Sequence, residues 1–190
     1  FCIIGDNVTI ECRNFEAHSW LFMWHGVEVG RGGCNGPNSN VKIGKGVGIF
    51  ENTVINPSES VEIGDNCGIG ADVMIWTHGA WLDITQGFPS DFGPVKIGNN
   101  VWLPARSIVL PNVTVGNDTV IGIGSVINRD LPSGCFAAGS PCLDLLVDLS
   151  KSPPCDKTTT SNCVSLYFSI VPNIPYSASS GCGDKHNTLS

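Results

Sequence analysis

Charged residues are scarce in this chain: only 14% of its 190 residues are Asp, Glu, Lys or Arg, whereas 42% are hydrophobic. Such a balance excludes an intrinsically disordered chain and favours a packed core. No apolar run is long enough to cross a bilayer, and the charged n-region and cleavage pattern of a signal peptide are missing. We therefore expect no membrane partner and a cytoplasmic location.

Basic residues are also few, with 10 Lys and Arg against 17 Asp and Glu, which gives a formal charge of -7. A net acidic chain is a poor general partner for nucleic acid, because the phosphate backbone repels it. We expect a small-molecule or glycan partner and no nucleic acid. The net negative charge of the chain still allows a local basic pocket that binds an anionic cofactor.

The nine cysteines lack the C-x-x-C spacing of zinc and thioredoxin-like sites. Their number is odd, and the chain is long enough to fold without disulfide staples. We expect most of them to be small core residues and free thiols, and we expect no metal cofactor. The glycine-rich phosphate loop G-x-G-x-x-G is missing too.

What the chain does have is a repeat of six residues, marked by aliphatic side chains. These recur at Ile43, Ile49 and Ile55, at Ile63, Ile69 and Ile75, and at Ile97, Leu103, Val109, Val115, Ile121 and Ile127. Glycine often follows the aliphatic residue, and a small or β-branched residue often stands four positions after it. A helical period of 3.6 cannot produce this spacing, and an antiparallel barrel would not place the glycines so regularly.

The repeat predicts an all-β fold, a parallel β-helix solenoid in which three hexads form one triangular coil. Each hexad contributes a short strand and a corner, and the aliphatic side chains stack in columns inside. Near the start, Ile4, Val8 and Ile10 fit the same frame. Because the frame is already running there, we expect that a segment upstream of Phe1 could be missing.

Two interruptions and a tail break the repeat. The frame blurs over residues 11–40, where we expect irregular early coils or a loop, and residues 81–96 read as an insertion loop between complete coils. After Pro141 the repeat stops, and residues 150–190 are rich in Ser, Thr, Pro and Cys. We therefore expect a β-helix domain over 1–142 and an irregular tail over 143–190. Leu143 to Leu149 could form a short helix or strand on the last coil.

Several motifs near the end of the repeat resemble a known family. They are Asn99-Asn100-Val101-Trp102-Leu103-Pro104-Ala105, Leu110-Pro111-Asn112-Val113-Thr114-Val115-Gly116, Ile121-Gly122-Ile123-Gly124-Ser125-Val126-Ile127-Asn128-Arg129-Asp130-Leu131-Pro132 and Ala138-Gly139-Ser140-Pro141-Cys142. Together they resemble the closing coils of the hexapeptide-repeat O-acetyltransferases, such as the galactoside and maltose enzymes. Upstream, Ile75-Trp76-Thr77-His78-Gly79 occupies the place of that family's catalytic histidine.

This resemblance implies a left-handed parallel β-helix, a homotrimer with active sites between subunits, and acetyl-coenzyme A (acetyl-CoA) as donor co-substrate. It implies backbone contacts to the coenzyme from Ala105 and Ile123, and contacts near its far end from Asn128 and Arg129. One departure is Leu143-Asp144-Leu145, which stands where the family usually has basic residues. An anchor for the coenzyme's phosphates would be lost there.

The implied reaction needs a general base, because a hydroxyl acceptor is a weak nucleophile, and histidine suits that role. His78 is our candidate catalytic base. Asp83, Glu51 or a backbone carbonyl are candidates for orienting its ring. Trp76, Trp81 and Asp83 are candidate substrate-binding residues, with Trp102 as either a further wall or a core residue. His18, His25 and His186 lie outside the clean repeat, where we expect no catalytic role.

The leading hypothesis is therefore acetyl transfer from acetyl-CoA to a hydroxyl of a sugar or glycan by direct attack. The alternatives are N-acetyl transfer to an amino sugar, and a non-catalytic β-helix scaffold or surface binder. A carbonic-anhydrase-like protein of the same fold would need three zinc-binding histidines. The clean repeat supplies only His78.

Overall fold

Parallel strands stacked into three sheets form the body of the molecule. The computed structural model describes residues 1–30, 34–80 and 82–148. The first sheet holds β1 (Cys2–Ile4), β4 (Leu21–Met23), β7 (Gly48–Ile49), β10 (Gly68–Ile69), β15 (Trp102–Leu103), β18 (Val120–Ile121), β20 (Cys135–Ala138) and β21 (Leu143–Asp148). Its strands run parallel except at the end, where β21 pairs antiparallel with β20.

The other two sheets complete the triangle. The second contains β2 (Thr9–Ile10), β5 (Glu28–Val29), β8 (Val54–Asn56), β11 (Met74–Trp76), β16 (Ile108–Val109) and β19 (Val126–Ile127). The third contains β3 (Asn14–Ala17), β6 (Asn40–Ile43), β9 (Val61–Ile63), β14 (Val95–Ile97) and β17 (Thr114–Val115). The chain visits the sheets in rotation, so each complete turn is one coil.

The six-residue repeat forms the core, as the sequence predicts. The described aliphatic positions of the repeat are at most 3% exposed: Ile43, Ile49, Ile55, Ile63, Ile69, Ile75, Ile97, Leu103, Val109, Val115, Ile121 and Ile127. The smaller residues four positions later, such as Thr53, Ser107 and Thr119, are buried as well. Each hydroxyl there donates to a backbone carbonyl, for example Thr53 to Gly70 at 2.7 Å, so these polar atoms are satisfied inside the coil.

The corners turn through left-handed backbone conformations. Asn66, Asn100 and Asp118 have φ angles of 55°, 56° and 54°, a region that Asn and Asp tolerate better than most residues. Their side chains stack along the corner: the amide of Asn100 donates to Asp118 at 2.8 Å. Beside them, the side chain of Asn99 accepts from the backbone N–H of Asp65 at 2.7 Å. The polar corners therefore lock successive coils in register.

The early coils are more regular than the sequence indicated. β3 pairs in register with β6 along its whole length, and β4 and β5 pair with β7 and β8. The expectation of irregular early coils across 11–40 is therefore wrong for β3, β4 and β5, and the alternative, a loop, fits only residues 34–39 before β6. The inward positions are occupied by Leu21, Met23, Val27 and Val29, all buried. Trp24 follows Met23 where glycine often stands elsewhere, so this turn lacks the glycine typical of the repeat.

At the first coil, Ile4 and Ile10 keep their place in the frame but are 51% and 41% exposed. No described coil lies on that side of them. At the other end, the expected short strand after the last coil is β21, which pairs with β20. The rest of the tail lies outside the described residues.

Candidate active site

The candidate catalytic histidine lies where the chain leaves the second sheet. After β11 the chain departs from the coil into a hairpin formed by β12 (His78–Gly79) and β13 (Asp91–Phe92), which pair antiparallel. The coil resumes at β14, so Val95 and Lys96 are coil residues and do not belong to the insertion expected over 81–96. Buried Thr77 anchors the departure, because its hydroxyl donates to the Asn56 carbonyl at 2.8 Å.

The ring of His78 has a polar contact on one side. Its Nδ1 lies 3.0 Å from the side-chain oxygen of Asn56 and 3.1 Å from the hydroxyl of Ser58. The Ser58 hydroxyl in turn donates to Asn56 Oδ1 at 3.1 Å. Asn56 itself is only 2% exposed.

This network assigns the proton on the histidine ring. The amide nitrogen of Asn56 faces the carbonyl of Gly30 at 3.4 Å, and a carbonyl can only accept. The amide oxygen therefore faces His78, and Nδ1 must carry the hydrogen to make that bond. Nε2 is then left with its lone pair, which is the state that a general base requires.

Aromatic rings hold the same histidine from two other directions. Phe92 stacks against it with ring centroids 5.7 Å apart, and Trp76 meets it edge-on at 5.8 Å. The position of Phe92 is fixed from the next coil, since the Asn112 amide donates to Asp91 at 2.8 Å. The hairpin is thereby tied to the solenoid on the side of the histidine.

Asp83 does not orient the histidine. It is the N-cap of a short 3₁₀ helix, Ile84–Gln86, and its carboxylate accepts from the hydroxyl and the backbone N–H of Thr85. These hydrogen bonds lower the pKa of Asp83 below its usual value. The contacts to Nδ1 of His78 that were expected from Asp83, Glu51 or a backbone carbonyl come instead from Asn56 and Ser58. Trp81, the other substrate-binding candidate in this segment, lies outside the described residues.

The residues expected to contact the coenzyme lie at two different corners. Ala105 stands on the turn between β15 and β16, and Ile123 on the equivalent turn one coil later, where it is 70% exposed. The Gly124 N–H donates to the Ala105 carbonyl at 3.1 Å, which joins these two turns. This corner leads into the second sheet, whereas His78 lies on the corner that leaves it.

Asn128 and Arg129 return to the corner of the histidine. The pairing of β11 with β16 and of β16 with β19 aligns Ile75 with Val109 and then with Ile127. Asn128 therefore lies two coils along the axis from Trp76, and both Asn128 and Arg129 are exposed. Within one chain, His78 and Arg129 lie on one corner, and Ala105 and Ile123 lie on the other.

Sequence reasoning missed Asn56, Ser58 and Phe92. Asn56 follows Ile55 in the hexad frame and pairs with Trp76 one coil on, so counting the coils would have placed it beside the histidine. Phe92 reaches the ring only because the hairpin folds back. No position of the six-residue repeat indicates that the hairpin folds back.

In the described part of the chain, no group of three or more His, Cys, Asp and Glu side chains is placed to hold a metal ion. Helices long and apolar enough to span a bilayer are likewise missing from those residues.

Comparison with known proteins gives a consistent result. Residues 94–129 match the family model "Bacterial transferase hexapeptide (six repeats)". The chain is 35% identical over 106 residues to the galactoside O-acetyltransferase of Escherichia coli K12, covering 55% of this chain and 52% of that protein. It is 38% identical over 126 residues to a putative acetyltransferase of Saccharomyces cerevisiae, covering 65% and 62%. The chain thus spans about half to three fifths of the length of these relatives.

Solved structures agree. A galactoside acetyltransferase in complex with coenzyme A aligns with a TM-score of 0.54 and 26% identity, over 78% of this chain and 64% of that one. A maltose O-acetyltransferase from Clostridium difficile 630 aligns with a TM-score of 0.53 and 26% identity, over 75% and 67%. The resemblance to the hexapeptide-repeat acetyltransferases and the left-handed parallel β-helix are both confirmed.

Proposed function

Because this chain carries bacterial-transferase hexapeptide repeats and is similar to galactoside and maltose O-acetyltransferases in sequence and fold, we propose that it transfers an acetyl group from acetyl-CoA to a sugar hydroxyl. The observation that carries the proposal is the arrangement around His78. Asn56 holds the ring through Nδ1, and Nε2 is free to accept a proton.

In the proposed reaction, Nε2 of His78 removes the proton from the acceptor hydroxyl as its oxygen attacks the thioester carbonyl. The Asn56 oxygen stabilises the ring as it becomes positively charged, as the orienting group of a catalytic triad does. The C–S bond then breaks, and the thiolate of coenzyme A takes the proton back from the ring. The products are the O-acetyl sugar and free coenzyme A, with no acyl-enzyme.

We assign the binding of acetyl-CoA to Ala105, Ile123, Asn128 and Arg129. Ala105 offers a backbone N–H toward the developing oxyanion, since Pro104 before it has none. Arg129 is exposed and cationic, which suits the phosphates at the far end of the coenzyme. We retain Trp76, Trp81 and Asp83 as candidate acceptor-binding residues, and we add Phe92, which like Trp76 contacts the His78 ring.

A homotrimer explains why these groups lie at two corners of one chain. If neighbouring chains meet along the second sheet, the His78 corner of one approaches the Ala105 corner of the next, and one donor molecule can contact both. The outer face of that sheet has a column of apolar side chains, namely Val54, Met74, Ile108 and Val126. Met74 is 40% exposed in the single chain. Cyclic symmetry would bury this column in a closed assembly.

The proposal includes a cytoplasmic location, because the reaction consumes acetyl-CoA. Cell fractionation with an antibody against the chain tests the location.

The activity is tested by measuring release of coenzyme A with a panel of neutral sugars, glycosides and amino sugars. We expect acetyl-CoA-dependent turnover with a neutral sugar, and mass spectrometry should find the acetyl group on oxygen. Turnover with amino sugars alone and N-linked product would replace the hydroxyl acceptor with an amine. Failure of acetyl-CoA to bind in calorimetry would favour a non-catalytic scaffold.

A further inference from the structure

Three aromatic side chains form a patch on the outer face of the first sheet, which the proposed chemistry has not used. We call Phe22, Trp24 and Phe50 the aromatic patch. The ring centroids of Phe22 and Trp24 are 4.8 Å apart, and those of Phe22 and Phe50 are 6.2 Å apart. All three are partly exposed, whereas Leu21 and Met23 on either side of Phe22 are buried in the core. The alternation shows that Phe22 points outward and does not help to fill the coil.

The patch lies at the same corner as Ala105 and Ile123. Trp24 and Phe50 each follow the last residue of a first-sheet strand, β4 and β7, where the chain turns toward the second sheet. The pairings of β4 with β7, β7 with β10 and β10 with β15 give the order in which the turns of this corner follow each other along the solenoid axis. The turn with Trp24 comes first, then those with Phe50 and Gly70, and then the turn with Pro104 and Ala105. The coil of Gly70 is also the coil of His78.

This order places the donor, acetyl-CoA, and the acceptor sugar on opposite sides of His78 along the solenoid axis. Ala105 and Ile123 lie one and two coils beyond the level of His78, so acetyl-CoA occupies that side. Phe50 and Trp24 lie one and two coils before it, about 5 and 10 Å along the axis at the usual spacing between strands. In a cyclic trimer whose threefold axis is parallel to the solenoid axis, corresponding coils of neighbouring chains lie at the same level along that axis. The patch of one chain then lies on the acceptor side of its neighbour's histidine.

We infer that the aromatic patch is the subsite that holds the acceptor sugar, and that the acceptor is a neutral glycoside. This inference rests on the proposed function and its trimer. Sugar rings present apolar C–H faces that pack on aromatic rings, and ligand sites combine such walls with a few polar groups. The polar groups nearest along the chain are His25, whose ring lies 4.9 Å from that of Trp24, and Glu51, which follows Phe50.

The charges at this corner favour one class of sugar. Asp6 forms an ion pair with His25 at 3.5 Å, and Glu51 follows the patch directly. Asp72 stands one coil further on and contacts Arg106 at 3.9 Å. The carboxylates of Asp6, Glu51 and Asp72 outnumber the one guanidinium of Arg106, so this corner repels a phosphate or a carboxylate on the acceptor. Nucleotide-linked and acidic sugars are therefore disfavoured, and a neutral glycoside is favoured.

The test compares Trp24→Ala and Phe50→Ala with Trp24→Phe, which keeps an aromatic face. Trp20→Gly is the matched control, because Trp20 is also an exposed tryptophan but lies at another corner, with a φ of 65° that glycine accepts. With methyl β-galactoside and methyl β-glucoside, we expect the two alanine variants to raise the acceptor KM about ten-fold. Trp24→Phe and Trp20→Gly should change it by no more than about two-fold. The KM for acetyl-CoA should stay constant, and glucose 1-phosphate should be a poor acceptor for every variant.

Unchanged acceptor KM in both alanine variants would overturn the inference, as would efficient use of glucose 1-phosphate. Loss of the trimer mass in light scattering for Trp24→Ala and Trp24→Phe alike would make the patch a subunit interface instead. If the wild type transfers no acetyl group, the proposed function fails, and saturation-transfer NMR with methyl β-galactoside tests the subsite separately. A signal present in the wild type and lost in Trp24→Ala supports the subsite, and no signal in the wild type rejects it.

Discussion

At the scale of single residues, His78 is distinguished from the other described histidines by its surroundings. His18 and His25 are exposed, and each lies within 4 Å of a carboxylate on the surface. His78 instead meets a buried amide on one edge and aromatic rings on its other sides. A neutral acceptor on Nδ1 fixes the tautomer without adding a negative charge, so the ring is positioned with Nε2 available as a base.

Replacing the base should affect the chemical step and leave donor binding intact. We expect His78→Ala to lower kcat by about 10²–10⁴-fold, the usual contribution of a positioned base. The affinity for acetyl-CoA in calorimetry should change little, because the histidine acts on the acceptor hydroxyl. His18→Ala serves as the control and should retain wild-type kcat. Near-wild-type turnover by His78→Ala would show that another group removes the proton.

Removing the group that orients the base should have a smaller effect of the same kind. Asn56→Ala leaves Nδ1 with Ser58 alone, and we expect kcat to fall about ten-fold while the KM for acetyl-CoA holds. The lost buried hydrogen bonds should also lower the free energy of unfolding by about 1–3 kcal/mol, measurable in urea. Ser58→Ala, which keeps the Asn56 contact, should be milder on both measures. Equal kcat for Asn56→Ala and wild type would show that Asn56 does not contribute to catalysis.

At the scale of elements, the hairpin of β12 and β13 is the part of the site that the solenoid repeat does not produce. Where it returns to the coil, Gly93 donates its N–H to the Thr77 carbonyl at 3.0 Å, and the Asn112 amide donates to Asp91. A side chain at Gly93 would collide with Asn112. Glycine at this position therefore allows Asn112 to keep its contact with Asp91.

We expect Gly93→Ala to displace Asn112 from Asp91 and to loosen Phe92 from the histidine ring. Turnover should fall on the order of ten-fold, because small displacements at a reacting group are costly. The melting temperature should drop only slightly, since the core columns are untouched. Gly79→Ala is the matched control in the same hairpin, where a Cβ would meet nothing within 4 Å, and it should be near neutral. If the two variants behave alike, the hairpin does not position the base.

At the scale of the whole molecule, the proposed active site takes groups from two chains. One chain places His78 on the corner that leaves the second sheet, and Ala105 on the corner that enters it. Subunits that share an active site can complement each other when each supplies the part that the other lacks. Light scattering should give the mass of three chains.

Mixing two inactive variants tests this arrangement. His78→Ala lacks the base, and Ala105→Pro lacks the backbone N–H proposed for the oxyanion, which should cost about 10²–10³-fold. Co-refolding equal amounts should restore about one quarter of the wild-type sites, because each mixed trimer contains one intact pair of corners. Each variant refolded alone should stay inactive. Absence of recovery in trimers shown to be mixed would place all catalytic groups within one chain.

The sequence by itself determined the coil. A period of six gives each side of a solenoid one inward aliphatic residue, so these residues stack in buried columns. Ile69, Leu103 and Ile121 are buried for that reason. His78 and Ala105 were candidates before any coordinates because the motifs around them resemble those of the hexapeptide-repeat O-acetyltransferases.

Only the tertiary structure decided what surrounds those residues. Asn56 and His78 are 22 positions apart, and their contact depends on how many residues the intervening coil contains. Phe92 reaches the histidine through a hairpin whose path no repeat constrains. The aromatic patch likewise forms from residues of two successive coils. Contacts across coils depend on the lengths of insertions, and a periodic pattern carries no information about where an aperiodic segment returns.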